Sequence, residues 1–390
     1  MIKDVRAFSV FNSSGKEALA MTMITDKSYT VSVPEGTSRG EFEAAHLPVD
    51  TVLKKFEKIK KSLIGLDENN YEDIELYLQK IGGDNFKTIG GNLALAISLA
   101  TAKAAMRGEL WKLNPHQSGF PYPLGNVVGG GAHGGKTDIQ EFLLIPENAK
   151  TVADAIETNR VIRKLVGEAL SEQDALTGKN LENAWTSNLD DINTFELIHG
   201  IARKYGARLG VDMAATQLWK NGKYNYPAMK KSLGTPQQMD FVVDLVEKYK
   251  LAYVEDPFHE KDFEAFAELT ARIGGKCIVA GDDLYCTQYS RLEQGIQAHS
   301  TNGIIIKLNQ VGLLSLAQKT ANLAKRADMV TIASHRSRDT ADAWLADIAV
   351  AFGCELIKTG IVGKEREAKL NRLADIWGKV EKPRMAKLGI

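Results

Sequence analysis

Six short apolar runs in the second half of the chain each end on a charged or acid–base residue. They are LGVD at Asp212, LAYVE at Glu255, CIVAGD at Asp282, GIIIK at Lys307, VTIASH at His335 and ELIK at Lys358. Those residues stand 43, 27, 25, 28 and 23 positions apart. A spacing in the twenties holds one strand, one helix and two loops. A barrel of eight βα units in roughly 250 residues allows about 30 per unit and builds its site from the C-terminal ends of its strands. The six residues would therefore converge on one rim. Three carboxylates, two amines and an imidazole together suit a divalent cation with oxygen ligands beside an amine base.

At 390 residues the chain suggests about two domains. Apolar content of 44% with 25% charged residues is that of a soluble globular protein. Basic and acidic residues both number 49. With no net charge, nothing attracts nucleic acid or an anionic membrane over long range, and neither is expected as a partner. No apolar stretch approaches the roughly 20 residues that span a bilayer. The opening MIKDVRAFSVFNSS has no signal-peptide core. Cys277, Cys286 and Cys354 are odd in number and widely spaced. They point to reduced, buried thiols in a cytoplasm, not to disulfides or a zinc site. Without a secretory signal, the sequon Asn12-Ser13-Ser14 carries little weight.

Residues 1–120 read as an α+β domain. Three β-rich runs near 3–12, 17–26 and 28–34 are punctuated by Gly15 and Asp26-Lys27, as in a meander. Helical patterns follow near 49–64, 71–81 and 90–108, the last apolar on all sides and hence buried. Proline, glycine and aromatics crowd Pro115–Pro123, where the domain boundary is expected. Residues 121–390 read as a β/α barrel, with short apolar runs alternating with helical patterns near 151–170, 191–205, 236–250, 262–273, 311–326, 339–352 and 364–377. Asn221-Gly222 within LWKNGKYNY is a type I′ turn signal for a hairpin after the Asp212 strand.

Asp212, Glu255 and Asp282 are the candidate metal ligands, three hard oxygen donors arriving from three strand ends. One such carboxylate alone would read as a helix cap or surface charge. Asp256 and Asp283, next to two of them, are alternative ligands or supporting groups. Lys307 ends a very apolar run, and interior lysines are rare and costly unless paired. Neighbouring cations lower a lysine's pKa from about 10.4 and make it a usable base. The other reading is an ion pair with a rim carboxylate. His335-Arg336-Ser337 suits an anionic, phosphorylated ligand or, equally, a loop ion pair. Glu141, at the end of the DIQE run, and Glu182, in NLENAWTSNL, have no role that spacing assigns. His133 lies in GGGAHGGKTD, a loop that either closes over a ligand or lies on the surface. It lacks the GK[ST] and following helix of a P-loop.

These segments resemble those of enolase. YVEDPFHEKDFEAF, VAGDDLYCT, IIIKLNQVG, ASHRS and ELIKTG follow in the family's order, as do GGNLALAISLATAKAA, NVVGGGAHGGKTDIQEFLLIP and LGVDMAATQLWKNGKYNY. The resemblance covers nearly the whole chain. It implies an N-terminal α+β domain on a β/α barrel that opens ββαα before its regular βα units. It also implies a cytoplasmic Mg²⁺-dependent lyase that reversibly dehydrates 2-phosphoglycerate to phosphoenolpyruvate. Two Mg²⁺ sites are implied, the second assisted by substrate. Asp212, Glu255 and Asp282 match the ligands of the tighter ion, and Ser38, in VPEGTSRGEFEA, matches a loop serine that helps hold the other. Lys307 matches the base that takes the C2 proton. Glu182 matches the acid that helps the C3 hydroxyl leave, with Glu141 beside it. His133 matches a mobile-loop histidine over the substrate, and His335 an active-site histidine. Arg336 and Ser337 match phosphate contacts, and Lys358 a contact to the substrate carboxylate. Enolases are commonly dimers or octamers, so self-association is implied too.

The departures cluster at loops. The family's GDEGG around the acid reads NLENAWTS here, with Asn183 and Ala184 where glycines stand, so a backbone path through positive φ is not expected there. Glu35 and Arg39 replace the usual Ser and Thr of the serine loop, and RSRDTAD replaces RSGETED after His335. Loops set specificity on this scaffold. A paralogue that takes an α-proton from another carboxylic acid is therefore a second reading. A silent, enolase-like binding protein is a third, and retention of the candidate ligands and both lysines argues against it.

Overall fold

The computed structural model describes residues 1–36 and 40–390, so Ser38 lies outside the described residues. The chain opens with strands Asp4–Phe11, Glu17–Ile24 and Ser28–Ser32, paired antiparallel in sequence order, the meander read from the sequence. Helices Val49–Leu63, Tyr71–Gly82 and Gly91–Ala105 follow. The last is buried on nearly every side and packs against the second and third strands.

Eight strands then close a barrel: Tyr122–Gly129, Glu141–Ile145, Arg208–Asp212, Tyr253–Glu255, Ile278–Gly281, Gly303–Ile306, Val330–Ser334 and Leu356–Lys358. Closure comes from pairing of the eighth with the first, Leu356 against Tyr122. The second strand runs antiparallel to both neighbours, while the other neighbouring barrel strands pair in parallel. Helices Val152–Glu172 and Asp191–Lys204 come next, so the order is ββαα and then βα units. Leu124, Leu143, Tyr253, Ile278, Ile305 and Ile332, from six strands, form one apolar cluster, as a filled barrel interior requires.

The antiparallel second strand changes the reading of Glu141. It opens its strand instead of ending one, and it pairs with Asp212. Reversal of direction puts the start of this strand level with the ends of its neighbours. The hairpin after Asp212 forms as expected, with Asn221 and Gly222 at φ 52° and 76°; both central residues of a type I′ turn need positive φ. The helix expected over 311–326 is instead Leu308–Val311 and Leu314–Arg326, broken where Gly312 takes φ +79°. That expected over 339–352 is only Trp344–Ala351.

Cys277, Cys286 and Cys354 are buried and unpaired. Asn12 is buried, and its side-chain oxygen accepts from Ser14 and Lys16, so it is not an exposed acceptor for a sugar. Among the described residues no helix is long and apolar enough to cross a membrane.

Candidate active site

The rim gathers the residues that the apolar runs single out. Asp212, Glu255 and Lys358 are the last residues of their strands, and Asp282, Lys307 and His335 each follow theirs by one. Asp212 and Glu255 are direct partners on adjacent parallel strands. Glu141, Asp212, Asp282, Lys307, His335 and Lys358 all line one polar cavity, which His133, Glu182, Arg336 and Ser337 also reach.

Lys358 sits among carboxylates. Its Nζ lies 2.8 Å from Glu141 Oε2, 3.0 Å from Asp212 Oδ2 and 2.8 Å from Glu255 Oε2. Tyr253 donates its hydroxyl to Glu255 Oε2 at 2.7 Å, and Gln140 its amide to Asp212 Oδ2 at 3.2 Å. Lys307 pairs with Asp282, the ion pair that was one of its two sequence readings. Gln310 and Thr287 hold this second pair. Gln310 Nε2 donates to Asp282 Oδ1 at 3.2 Å, and Thr287 Oγ1 donates to Gln310 at 2.6 Å while accepting the Lys307 amide at 2.9 Å. Neither had a sequence signal beyond being polar next to an apolar run. Asp256 spends its two oxygens on the amides of Asp282 and Asp283, at 3.0 and 2.8 Å. It is thereby a supporting group that orients the Asp282 turn.

Across the cavity, Glu182 is buried, 3.3 Å from Asn126 Nδ2 and 3.7 Å from His335 Nε2. His133 Nδ1 lies 3.5 Å from Glu141 Oε1. Of the two readings of the glycine-rich loop, the one in which it lies over the cavity fits this contact. His133, Glu141 and Glu182 form one cluster with candidate ligand atoms within 4.8 Å, and Asp256, Asp282 and Asp283 another. The expectation that the backbone beside Glu182 avoids positive φ is wrong. Asn183 takes φ 61°. Asparagine is among the few non-glycine residues that enter the left-handed region readily.

Arg336 forks onto Glu43, with Nη1 at 2.9 Å from Oε2 and Nη2 at 3.1 Å from Oε1, and donates to Asn309 Oδ1 at 3.0 Å. Glu35, one of the altered loop residues, exchanges backbone bonds with Arg338 at 3.1 and 3.0 Å, tying the start of the serine loop to the segment after His335.

The chain matches two family models in tandem. The enolase N-terminal domain covers residues 2–114, and the enolase C-terminal TIM barrel domain covers residues 117–384. Relatives called enolase align over almost the full length. One from Archaeoglobus fulgidus is 39% identical over 99% of both chains. One from Methanosphaera stadtmanae is 39% identical over 100% of this chain and 99% of its own. One from Halorubrum lacusprofundi is 41% identical over 88% and 90%. The chain belongs to the enolase family.

The protonation pattern of this enolase-family rim follows from burial and neighbours. Burial pushes Glu141 well above the usual carboxylate range; Lys358 opposes this, while Glu182, Asp212 and Glu255 reinforce it. At Glu182 burial also pushes up, but the basic groups around it, His335, His133, Arg366 and Lys358, hold it below the usual range. Burial and Arg366 drive His335 well down, so its imidazole is neutral near pH 7 and lends Glu182 little charge. Lys358 and the other basic neighbours thus favour the charged form of Glu182, while burial favours the neutral form of Glu141. Burial lifts Glu255 to about 7, aided by Asp212. Burial lowers Lys307, but Asp282 outweighs it and leaves the ammonium charged.

The donor set fits a hard divalent cation. Asp212, Glu255 and Asp282 offer carboxylate oxygens alone, and Glu255 Oε1 is buried without a hydrogen-bond partner. An orphaned buried oxygen is costly unless something takes it up. Lys358 already draws the oxygens of Asp212 and Glu255 toward one point.

Proposed function

We propose that this enolase-family protein is a Mg²⁺-dependent hydro-lyase that reversibly dehydrates 2-phosphoglycerate to phosphoenolpyruvate. The observation that carries the reading is the rim itself, where an acidic oxygen cage and an amine face the neighbouring carboxyls of Glu141 and Glu182. In this reading Asp212, Glu255 and Asp282 hold the tighter Mg²⁺, and Ser38 contributes to a second, substrate-assisted site. The bound cations supply positive charge beside the substrate carboxylate, where proton removal would otherwise put a second negative charge on one group.

The chain's own residues do the rest. Lys358 adds a fixed positive charge at that carboxylate. Lys307, once relieved of its Asp282 partner and with its own ammonium proton lost to solvent, takes the C2 proton. Glu182 gives a proton to the departing C3 hydroxyl, with Glu141 beside it as the reservoir; the negative charge of a bound phosphate raises both carboxyls. His133 covers the substrate from its loop, and His335 stands beside Glu182 across the cavity. Arg336 and Ser337 receive the phosphate, Arg336 sharing its fork with Glu43. The same reading puts the protein in the cytoplasm as a homo-oligomer, with its α+β and barrel domains divided near residue 120. Stopped assays with 2-phosphoglycerate that separate C2 proton exchange from loss of hydroxide test it. Exchange without dehydration under every metal condition would favour the paralogue that acts on another carboxylic acid.

A further inference from the structure

Glu182 sits in a five-residue hairpin loop, 180–184, between strands Leu176–Lys179 and Trp185–Ser187. Where the resemblance leads one to expect glycines, hydrogen bonds at 180 and 182–184 close this loop. Asn180 Oδ1 accepts from the amides of Glu182 and Ala184 at 2.9 and 3.0 Å. The Asn183 amide donates to the Asn180 carbonyl, and the Asn180 amide to the Ala184 carbonyl, both at 3.0 Å. Asn183, held left-handed, turns its carbonyl to Arg163, which donates Nη2 at 2.8 Å and Nε at 3.3 Å.

Arg163 is itself fixed. Its guanidinium lies 4.1 Å from the Trp185 ring, and Trp185 Nε1 donates to its carbonyl at 2.8 Å. One helical turn on, Gly167 lets the ring approach so closely that a Cβ there would sit 2.7 Å from it. Arg163 is buried, and among the described residues its guanidinium hydrogen bonds go to the Asn183 carbonyl. A buried cation whose hydrogen bonds go to one loop carbonyl is costly to keep for packing alone.

We propose that Arg163, seated on Trp185 and acting with Asn180, is a positioning residue that aims Glu182, supplying through side chains the loop geometry that glycines supply in the family's GDEGG. Arg163 reaches the reaction only through the Asn183 carbonyl, one residue from the acid. The inference rests on Glu182 being the proton donor. It predicts a split between the two half-reactions, because the base side, built on Lys307, does not touch this loop.

The test uses full-length, Mg²⁺-loaded protein with Arg163→Met, which keeps an apolar stem on Trp185, and Arg163→Lys, which keeps the charge. Displacing a reacting group by about 1 Å costs up to about 100-fold. Arg163→Met is expected to slow dehydration about 10- to 100-fold while C2 proton exchange and KM stay within about twofold, and Arg163→Lys to recover part of the loss. Equal losses in both steps, or no loss in either, overturn the inference. If Arg163→Met does not fold, Asn180→Ala is read for the same split. Hydrogen–deuterium exchange at the amides of 182–184 separates this from the functional reading. If the parent protein does not turn over 2-phosphoglycerate, that reading fails; faster amide exchange confined to 182–184 in Arg163→Met then still supports the brace, and unchanged exchange overturns it.

Discussion

Lys358 stands at the point of greatest charge density, one ammonium against the carboxylates of Glu141, Asp212 and Glu255. With Asp282 and Lys307 added, four carboxylates face two amines, a surplus that a divalent cation matches. Burial chiefly, and the neighbouring carboxylates with it, raise the pKa values of Glu141 and Glu255. Two residue-scale outcomes follow. Lys307→Ala should abolish C2 proton exchange while calorimetry shows Mg²⁺ binding retained; near-parental exchange would remove Lys307 from the base role. Glu182→Gln should slow dehydration at least about tenfold more than exchange, in keeping with the usual worth of a general acid. Equal survival of both steps would move the acid to Glu141.

The helix Asp191–Lys204 links the loops that flank the cavity. Asp190 caps it through the Asn193 amide, and Asp191, fully buried, accepts from the amides of Ile139 and Asp138 at 2.7 and 3.2 Å. Asp138 in turn accepts from Ala228 and Met229 beyond the Asn221-Gly222 hairpin. Burial lifts Asp191 to about 6, against the pull of those two amides. That exceeds the unfolded carboxyl value of about 3.9, so the folded state holds the proton more tightly. The resulting penalty is absent below about pH 4, grows as pH rises and is complete above about pH 6. At about 1.36 kcal/mol per unit it amounts to roughly 3 kcal/mol. Asp191→Asn should remove this titration. Parental stability relative to the variant, from denaturant unfolding, should fall between pH 4 and 6.5; a pH-independent difference would contradict the shift.

Elements that were legible in the sequence had a strong local signal. Apolar runs ending on charge gave six rim residues, and Asn221-Gly222 gave its hairpin. The hairpin carrying Glu182 was missed because its strands, LTGK and WTS, are short and largely polar. The helix Tyr289–Gln297 was missed because nine residues with an internal glycine show little periodicity. The reversed strand of Glu141 was invisible because direction leaves no mark on an apolar run. The left-handed Asn183 gives its carbonyl to Arg163, twenty residues away in sequence and joined to it only by folding.

At the scale of the whole molecule, the N-terminal region reaches the barrel through polar contacts as well as packing. Glu75, buried in helix Tyr71–Gly82, accepts from the amides of Leu314 and Ser315, capping a barrel helix from outside it, and from the Ser98 hydroxyl. The Leu314 amide also has the Ser98 hydroxyl oxygen at 3.0 Å, so Glu75→Ala would orphan chiefly the Ser315 amide, at a cost of about 1–3 kcal/mol. A matching loss in denaturant unfolding is expected, and an unchanged midpoint would show that the clamp adds nothing. Nearer the rim, the Ala44 amide donates to the Gln310 carbonyl at 2.8 Å, and Glu43 holds Arg336. The segment bearing Glu43 and Ala44 thus touches both the support of Asp282 and the proposed phosphate site. The most direct test of the whole account is a Mg²⁺ titration of the purified protein with 2-phosphoglycerate, following phosphoenolpyruvate by ultraviolet absorbance. Turnover that rises from nothing and saturates with Mg²⁺ is the expected result. Absence of turnover in a sample that calorimetry shows to bind Mg²⁺ would contradict it.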